Sequence, residues 1–236
     1  MPKAIAMLAA CGALLTVIPN VVAEPAASNW PGRVGRYVFE VARDGKPIGT
    51  QTVEVLQNGD TVTATTESTI AVKLLGIVVY RMHQVLTETY RGDKLVALHA
   101  ETKDPDGLRA GEIKRDGNRW TGRLGKQHRE FNCDCMTSTM WNVAAMNGGT
   151  MIEASQARLR TITVEDRGTE KLDLPEGPVT ARHFVVKGEI EREVWYDPSG
   201  NLVSATQIGS DGSTIRQTLL SDPSGSRAPG KEASEP

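Results

Sequence analysis

The chain is poor in aromatic residues: three Phe, four Trp and four Tyr among 236 residues. Its core must therefore rest on Val, Ile, Leu and Ala. Cysteine is scarce too, with three in all, and one of them, Cys11, lies in the first apolar run. There is no Gly-x-Gly-x-x-Gly and no phosphate loop, so nothing local announces a nucleotide cofactor. Gly-x-Ser-x-Gly is absent as well, and with it the strand-to-helix elbow that presents a nucleophilic serine. Neither sign of charge dominates: 27 basic residues stand against 29 acidic ones. No basic stripe with interleaved aromatics occurs, which argues against nucleic acid or an anionic membrane surface as an electrostatic partner.

The one long apolar run opens the chain. Lys3 supplies a positive start, and Ala4 to Val22 is mostly apolar up to the Pro19-Asn20 break. Val21-Val22-Ala23 offers small or apolar cleavage positions, and Glu24-Pro25 would open the mature chain. This is the pattern of a cleavable secretory signal peptide over residues 1–23, which implies export to the periplasm. The run is short for a membrane span, so the mature chain is expected to carry no transmembrane segment. Leu8-Ala9-Ala10-Cys11 fits a lipobox, which keeps an acylated Cys11 open as the alternative. Against it, Leu14, Leu15, Val17 and Ile18 extend the apolar run past the cysteine.

Residues 24–35 form a lead-in, and residues 221–236 a tail rich in Ser, Pro, Gly and charge that we read as disordered. Residues 36–220 between them read as a single β-rich domain. Tyr37, Phe39 and Val41 alternate with Glu40 and Ala42. Asp44-Gly45 turns the chain, and Asn58-Gly59 turns it again, a pair suited to positive φ in a two-residue hairpin. Val62, Ala64, Thr66 and Ser68 then alternate with Thr61, Thr63, Thr65 and Glu67, as on a half-buried pleated surface. Turn signals continue at Arg91-Gly92-Asp93, Asp104 to Gly107, Asp116-Gly117-Asn118, Gly125, Gly148-Gly149, Gly168, Pro175 to Gly177, Gly188, Pro198 to Gly200 and Asp211-Gly212. The intervals are too short for parallel crossovers. The fold class is mainly β: a curved antiparallel sheet, or open β-barrel-like meander, with one short helix. Two segments break the rhythm. Ala71 to Val79 is almost wholly apolar and reads as a strand buried on both faces, one kinked at Gly76, or a strand entering a loop. Met136 to Met146 reads as the helix, capped at Thr137 or Ser138.

Several of these stretches resemble a known family. Asp44-Gly45-Lys46-Pro47-Ile48-Gly49-Thr50 is similar to the opening hairpin of a group of exported bacterial proteins. Ser138-Thr139-Met140-Trp141-Asn142 resembles their central Ser-x-x-Trp-Asn patch. Glu193 to Leu202 and Asp211 to Ile215 resemble their closing strands. The group is the domain-of-unknown-function family numbered 6134, with a looser likeness to the one numbered 3108. The resemblance runs from Tyr37 to Leu220. It carries no activity with it. It implies a curved antiparallel sheet in the periplasm, broadly like the half-barrels of lipoprotein carriers.

Few residues are candidates for chemistry. Cys133-Asp134-Cys135-Met136, with His128 upstream, sets soft sulfur near an imidazole, a donor set suited to Cu(I) or Zn. An oxidising compartment supports a Cys133–Cys135 disulfide instead, or a thiol redox pair. His83, His99, His128 and His183 fall in strand-like segments. His99 shares a face with Glu101, and His128 with Glu130, as solvated pairs or as acid–base partners. Arg182 and Arg192 sit on neighbouring strands, where they either face solvent or hold an anionic head group.

The expected function is non-enzymatic binding of an apolar or amphipathic, lipid-like small molecule on the curved sheet, without a cofactor. Its cleft is placed at Leu74, Leu75, Ile77 and Val79, with Trp141 and Trp195 as pocket aromatics or core anchors. Copper handling or thiol redox at Cys133 and Cys135 is the alternative. N-terminal sequencing of protein taken from the periplasm should begin at Glu24. A mature end at an acylated Cys11 would replace the soluble reading with the lipoprotein one.

Overall fold

The structure, a computed structural model, describes residues 34–223. The expected leader (1–23), nearly all of the lead-in (24–35) and most of the tail (221–236) lie outside the described residues. Fourteen strands make one antiparallel sheet. The first eight are β1 (Gly35–Arg43), β2 (Lys46–Asn58), β3 (Thr61–Leu74), β4 (Ile77–Arg91), β5 (Lys94–Asp104), β6 (Gly107–Asp116), β7 (Arg119–Leu124) and β8 (Gln127–Asn132). The remaining six are β9 (Thr150–Glu153), β10 (Arg158–Leu174), β11 (Gly177–Gly188), β12 (Arg192–Tyr196), β13 (Leu202–Ile208) and β14 (Thr214–Ser221).

The spatial order is β8-β7-β6-β5-β4-β3-β2-β1-β14-β13-β12-β11-β10-β9. Two meanders thus meet where β1 pairs with β14, Val41 opposite Gln217. The sheet curls, but β8 and β9 do not pair, so it is barrel-like without being closed. Side chains bridge the seam. Arg129 Nε donates to the Gln156 carbonyl at 3.0 Å, and Arg158 Nη2 to Gln127 Oε1 at 3.2 Å.

Most glycine signals mark hairpin turns, as their tolerance of positive φ requires. Gly168 is an exception: it sits at a register shift inside β10 and makes a bulge rather than a turn. Two other expectations are corrected. The run Ala71–Val79 is not a doubly buried strand. Leu75 (φ 50°) and Gly76 (φ 83°) form the two-residue turn between β3 and β4. The hairpin tip extends beyond its neighbours, leaving Leu74, Leu75 and Ile77 at 63%, 95% and 70% exposure. The expected α-helix over Met136–Met146 is instead an extended segment crossing the interior from β8 to β9, with a single 3₁₀ turn at Val143–Asn147 capped by Asn142. The reason lies in its backbone partners. Ser138 N donates to Ile152 O (2.8 Å) and Ile152 N to Met136 O (2.9 Å), so bonding to β9 replaces an internal helical ladder.

Curling so long a sheet brings strand backbones close. A Cβ at Gly49 would meet Thr69 O at 2.0 Å, and one at Gly111 would meet Arg123 O at 2.0 Å. Both are close backbone approaches where only glycine fits. Gly111→Val should therefore destabilise the protein by about 2–3 kcal/mol. Gly117→Asn, in a turn with open space around it, should cost less than about 1 kcal/mol. Denaturant unfolding of the two variants checks the contrast.

Candidate functional site

The inward residues of β3 divide the interior of the barrel. Val62 and Ala64 are buried in the apolar core with Phe39, Val55, Leu98 and Trp120. Thr66 and Ser68 follow, still buried but polar, and then Ile70 and Val72. The same order recurs on β2, where Val55 and Val53 give way to Gln51 and then Ile48. Above the core, beyond this polar belt, lies an open cavity of about 630 Å³. Its walls include Val41, Ile48, Ile70, Val72, Met82 and Ile215. Its polar lining includes Gln51, Ser68, Gln84, Gln207, Gln217 and Arg192.

The belt is knit together. Gln51 Oε1 accepts from Ser68 Oγ (3.1 Å) and Gln217 Nε2 (3.0 Å). Gln84 Nε2 donates to Thr102 Oγ1 at 2.9 Å. At the mouth Arg43 pairs with Asp211, which also accepts from Ser213 Oγ at 2.6 Å.

Ser138 and Thr139 of the crossing segment close the cavity floor. Beneath them lies Glu88, on the inward face of β4 between Leu86 and Tyr90 and fully buried. Its carboxyl accepts from Thr139 Oγ1 at 2.5 Å, from Tyr90 OH, and from Trp141 Nε1 at 3.4 Å. Burial pushes this carboxyl above the usual glutamate value, and hydrogen bonds from Thr139 and Tyr90 pull back only part of the shift. The same burial raises the Tyr90 phenol, with the Glu88 charge adding to it. On the far side, Asn142 bridges to Asn201. Asn201 Oδ1 accepts from Tyr37 OH at 2.9 Å. Asp197 holds the turn by accepting from Ser199 N (2.8 Å) and Asn201 N (2.9 Å). The two stretches Ser138–Asn142 and Asp197–Asn201 thus meet in space and pin the crossing segment.

The residues singled out from the sequence scatter. Val79 lines the cavity mouth, while Leu74, Leu75 and Ile77 are not among its lining residues. Trp141 lies on the core side of the floor, edge-on to Tyr90 with ring centres 6.1 Å apart. Trp195 faces outward, stacked on His183 at 4.4 Å in a small cluster with Ala181 and Val203. Cys133 and Cys135 are joined by a disulfide. Among the described residues no three His, Cys, Asp or Glu side chains gather as a metal site. Met136 packs on the core and His128 is exposed on β8. Of the two arginines, Arg182 is exposed and paired with Asp166, whereas Arg192 turns into the cavity. Glu88 was overlooked in the sequence. Its signal was a charged residue in step with Leu86 and Tyr90 on one strand face.

The architecture is that of a β-barrel-like protein with an open internal cavity. Residues 39–220 match the family described as "Domain of unknown function (DUF6134)", and the chain belongs to that family. A similar fold is seen in the crystal structure of a β-barrel-like protein of domain of unknown function DUF1849 from Brucella abortus. The two share 13% identity with a TM-score of 0.59, over 78% of this chain and 94% of that one. No curated protein matches the chain. No helix among the described residues is long and apolar enough to cross a membrane.

Glu88 gives a signed pH prediction. Its folded-state pKa is raised, so above the ordinary glutamate value the folded chain holds a proton that the unfolded chain has released. Stability from this group is present at low pH and declines as pH rises toward the folded pKa. Glu88→Gln keeps an acceptor and removes the titration, so its stability relative to wild type should grow with pH and then level off. Glu88→Leu removes the shared acceptor and should cost about 2–4 kcal/mol. Urea unfolding from mildly acid to mildly alkaline buffer tests both, and parallel pH curves for wild type and Glu88→Gln would refute the raised pKa.

Proposed function

We propose that this protein is an exported, non-enzymatic binder of an apolar or amphipathic small molecule, working in the periplasm. The observation that carries the reading is the open cavity of about 630 Å³, aliphatic on its walls and polar on its floor. That volume is typical of small-molecule sites, and so is an apolar lining punctuated by a few oriented polar groups. Export rests on the leader pattern from Lys3 to Ala23. The Cys133–Cys135 disulfide accords with it, because such bonds persist in oxidising compartments. A binding role is favoured over catalysis by the makeup of the lining, which among the described residues contains no His, Cys or Glu. Ser138 Oγ is occupied as well, accepting from Ala154 N at 3.1 Å.

The test pairs native mass spectrometry of protein purified from the periplasm with titration of the apolar dye N-phenyl-1-naphthylamine. We expect saturable fluorescence enhancement, strongly reduced by Val72→Trp, which fills the mouth from a half-buried position. No saturable binding to wild type, together with no co-purifying small molecule, would overturn the reading.

A further inference from the structure

Three charged residues line the cavity: Arg43, Asp211 and Arg192. The first two neutralise each other at the mouth. Arg192, at the start of β12, lies deeper. Its Nη1 donates to Ser138 O at 2.8 Å, so it sits at the same floor that Ser138 and Thr139 close. Among the described residues it has no carboxylate partner. Glu153 is near enough to be felt electrostatically, but it is bonded to Arg160 at 2.7 Å. Tyr196 is also close, and its hydroxyl donates to Met140 O at 2.9 Å. Burial pulls the Arg192 guanidinium below its ordinary value, yet a guanidinium stays charged in proteins. A half-buried cation with no carboxylate partner is costly to hold.

The groups beside it are neutral and polar. Gln207 and Gln217 share a recess with Arg192. Thr66, on the same cavity lining, has a buried Oγ1 with no hydrogen-bond partner among the described residues. The cavity lining therefore includes a fork of cationic donors at the floor and aliphatic side chains along the walls.

We propose that Arg192 is the head-group site of this cavity, taking a compact anion, carboxylate or phosphate ester, borne on a single alkyl chain. The planar guanidinium matches either anion in bidentate fashion. The chain would lie along Ile48, Ile70, Val72, Val79 and Met82 toward the mouth. This assignment rests on the binding role proposed above and narrows it to anionic amphiphiles.

The test compares ligands of one tail length and different heads: laurate, monododecyl phosphate, dodecanol and dodecyltrimethylammonium, each by isothermal titration calorimetry. Wild type should prefer an anion over the alcohol and the cation by about tenfold or more. The tighter of laurate and dodecyl phosphate identifies the head group. Arg192→Gln should weaken the anions about tenfold to a hundredfold and leave dodecanol unchanged. Equal affinity of wild type for anion, alcohol and cation would refute the head-group site while leaving the cavity reading intact, and that comparison needs no variant to fold. Binding of none of the four would instead remove the cavity reading itself. Anion preference that survives Arg192→Gln would also overturn the assignment.

Discussion

A curled sheet with two free edges needs something across its middle, and here the segment between β8 and β9 provides it. That segment is extended, so its backbone groups must find partners outside itself. It takes them from β9 through Ser138 and Ile152, and from the Asp197–Asn201 turn through Val143 N to Gly200 O and Leu202 N to Trp141 O. Its side chains converge on one buried carboxyl, Glu88. Without that acceptor, Thr139 and Trp141 would lose their anchor on β4. The floor of the cavity and the roof of the core are the two faces of this one strap.

The strap also explains how polarity is distributed along single strands. On β3 the inward face changes from Val62 and Ala64 to Thr66 and Ser68 as it passes the level of Ser138 and Thr139. Below that level every inward side chain packs on another, and Trp120, Tyr90 and Tyr196 fill the space. Above it the strands continue with nothing opposite them, so a cavity remains. A polar belt at the boundary keeps its buried groups mostly satisfied by each other. The long-range pairing of β1 with β14, in the middle of the sheet, joins the first and last strands in sequence. Such a topology closes late and depends on non-local contacts.

Much of the strand pattern was legible along the chain because hairpins are local. Asp44-Gly45 forms its turn with positive φ at both residues, while the next signals act one residue on, as Gly59-Asp60 and Gly117-Asn118, with the glycine alone at positive φ. The β3–β4 turn stayed open among a buried strand, a kink and a loop entry because Leu75 stands where an Asn or Asp would have announced positive φ. The apolar run around it then imitated a buried strand. Met136–Met146 imitated a helix because its apolar spacing suits one. Its fate was decided by bonds to β9 and to the Gly200 turn, far away in sequence. Gly168 looked like a turn, yet the ladder on both sides of it continues.

The site followed the same division. Alternation on β12 places Arg192, Val194 and Tyr196 on one face and Trp195 on the other, which is a local fact of the pleat. Whether that face looks into a core, a cavity or solvent is not local, and it separates Arg192 from Arg182. Residue chemistry by itself determined an antiparallel β chain, most of its turns and a close pair of cysteines at Cys133 and Cys135. The order of strands, the strap through the interior, the burial of Glu88 and the opening above it were decided only by tertiary structure. They depend on which strand ends run past the strap, and that is a matter of relative length and curl rather than of any residue's own preference.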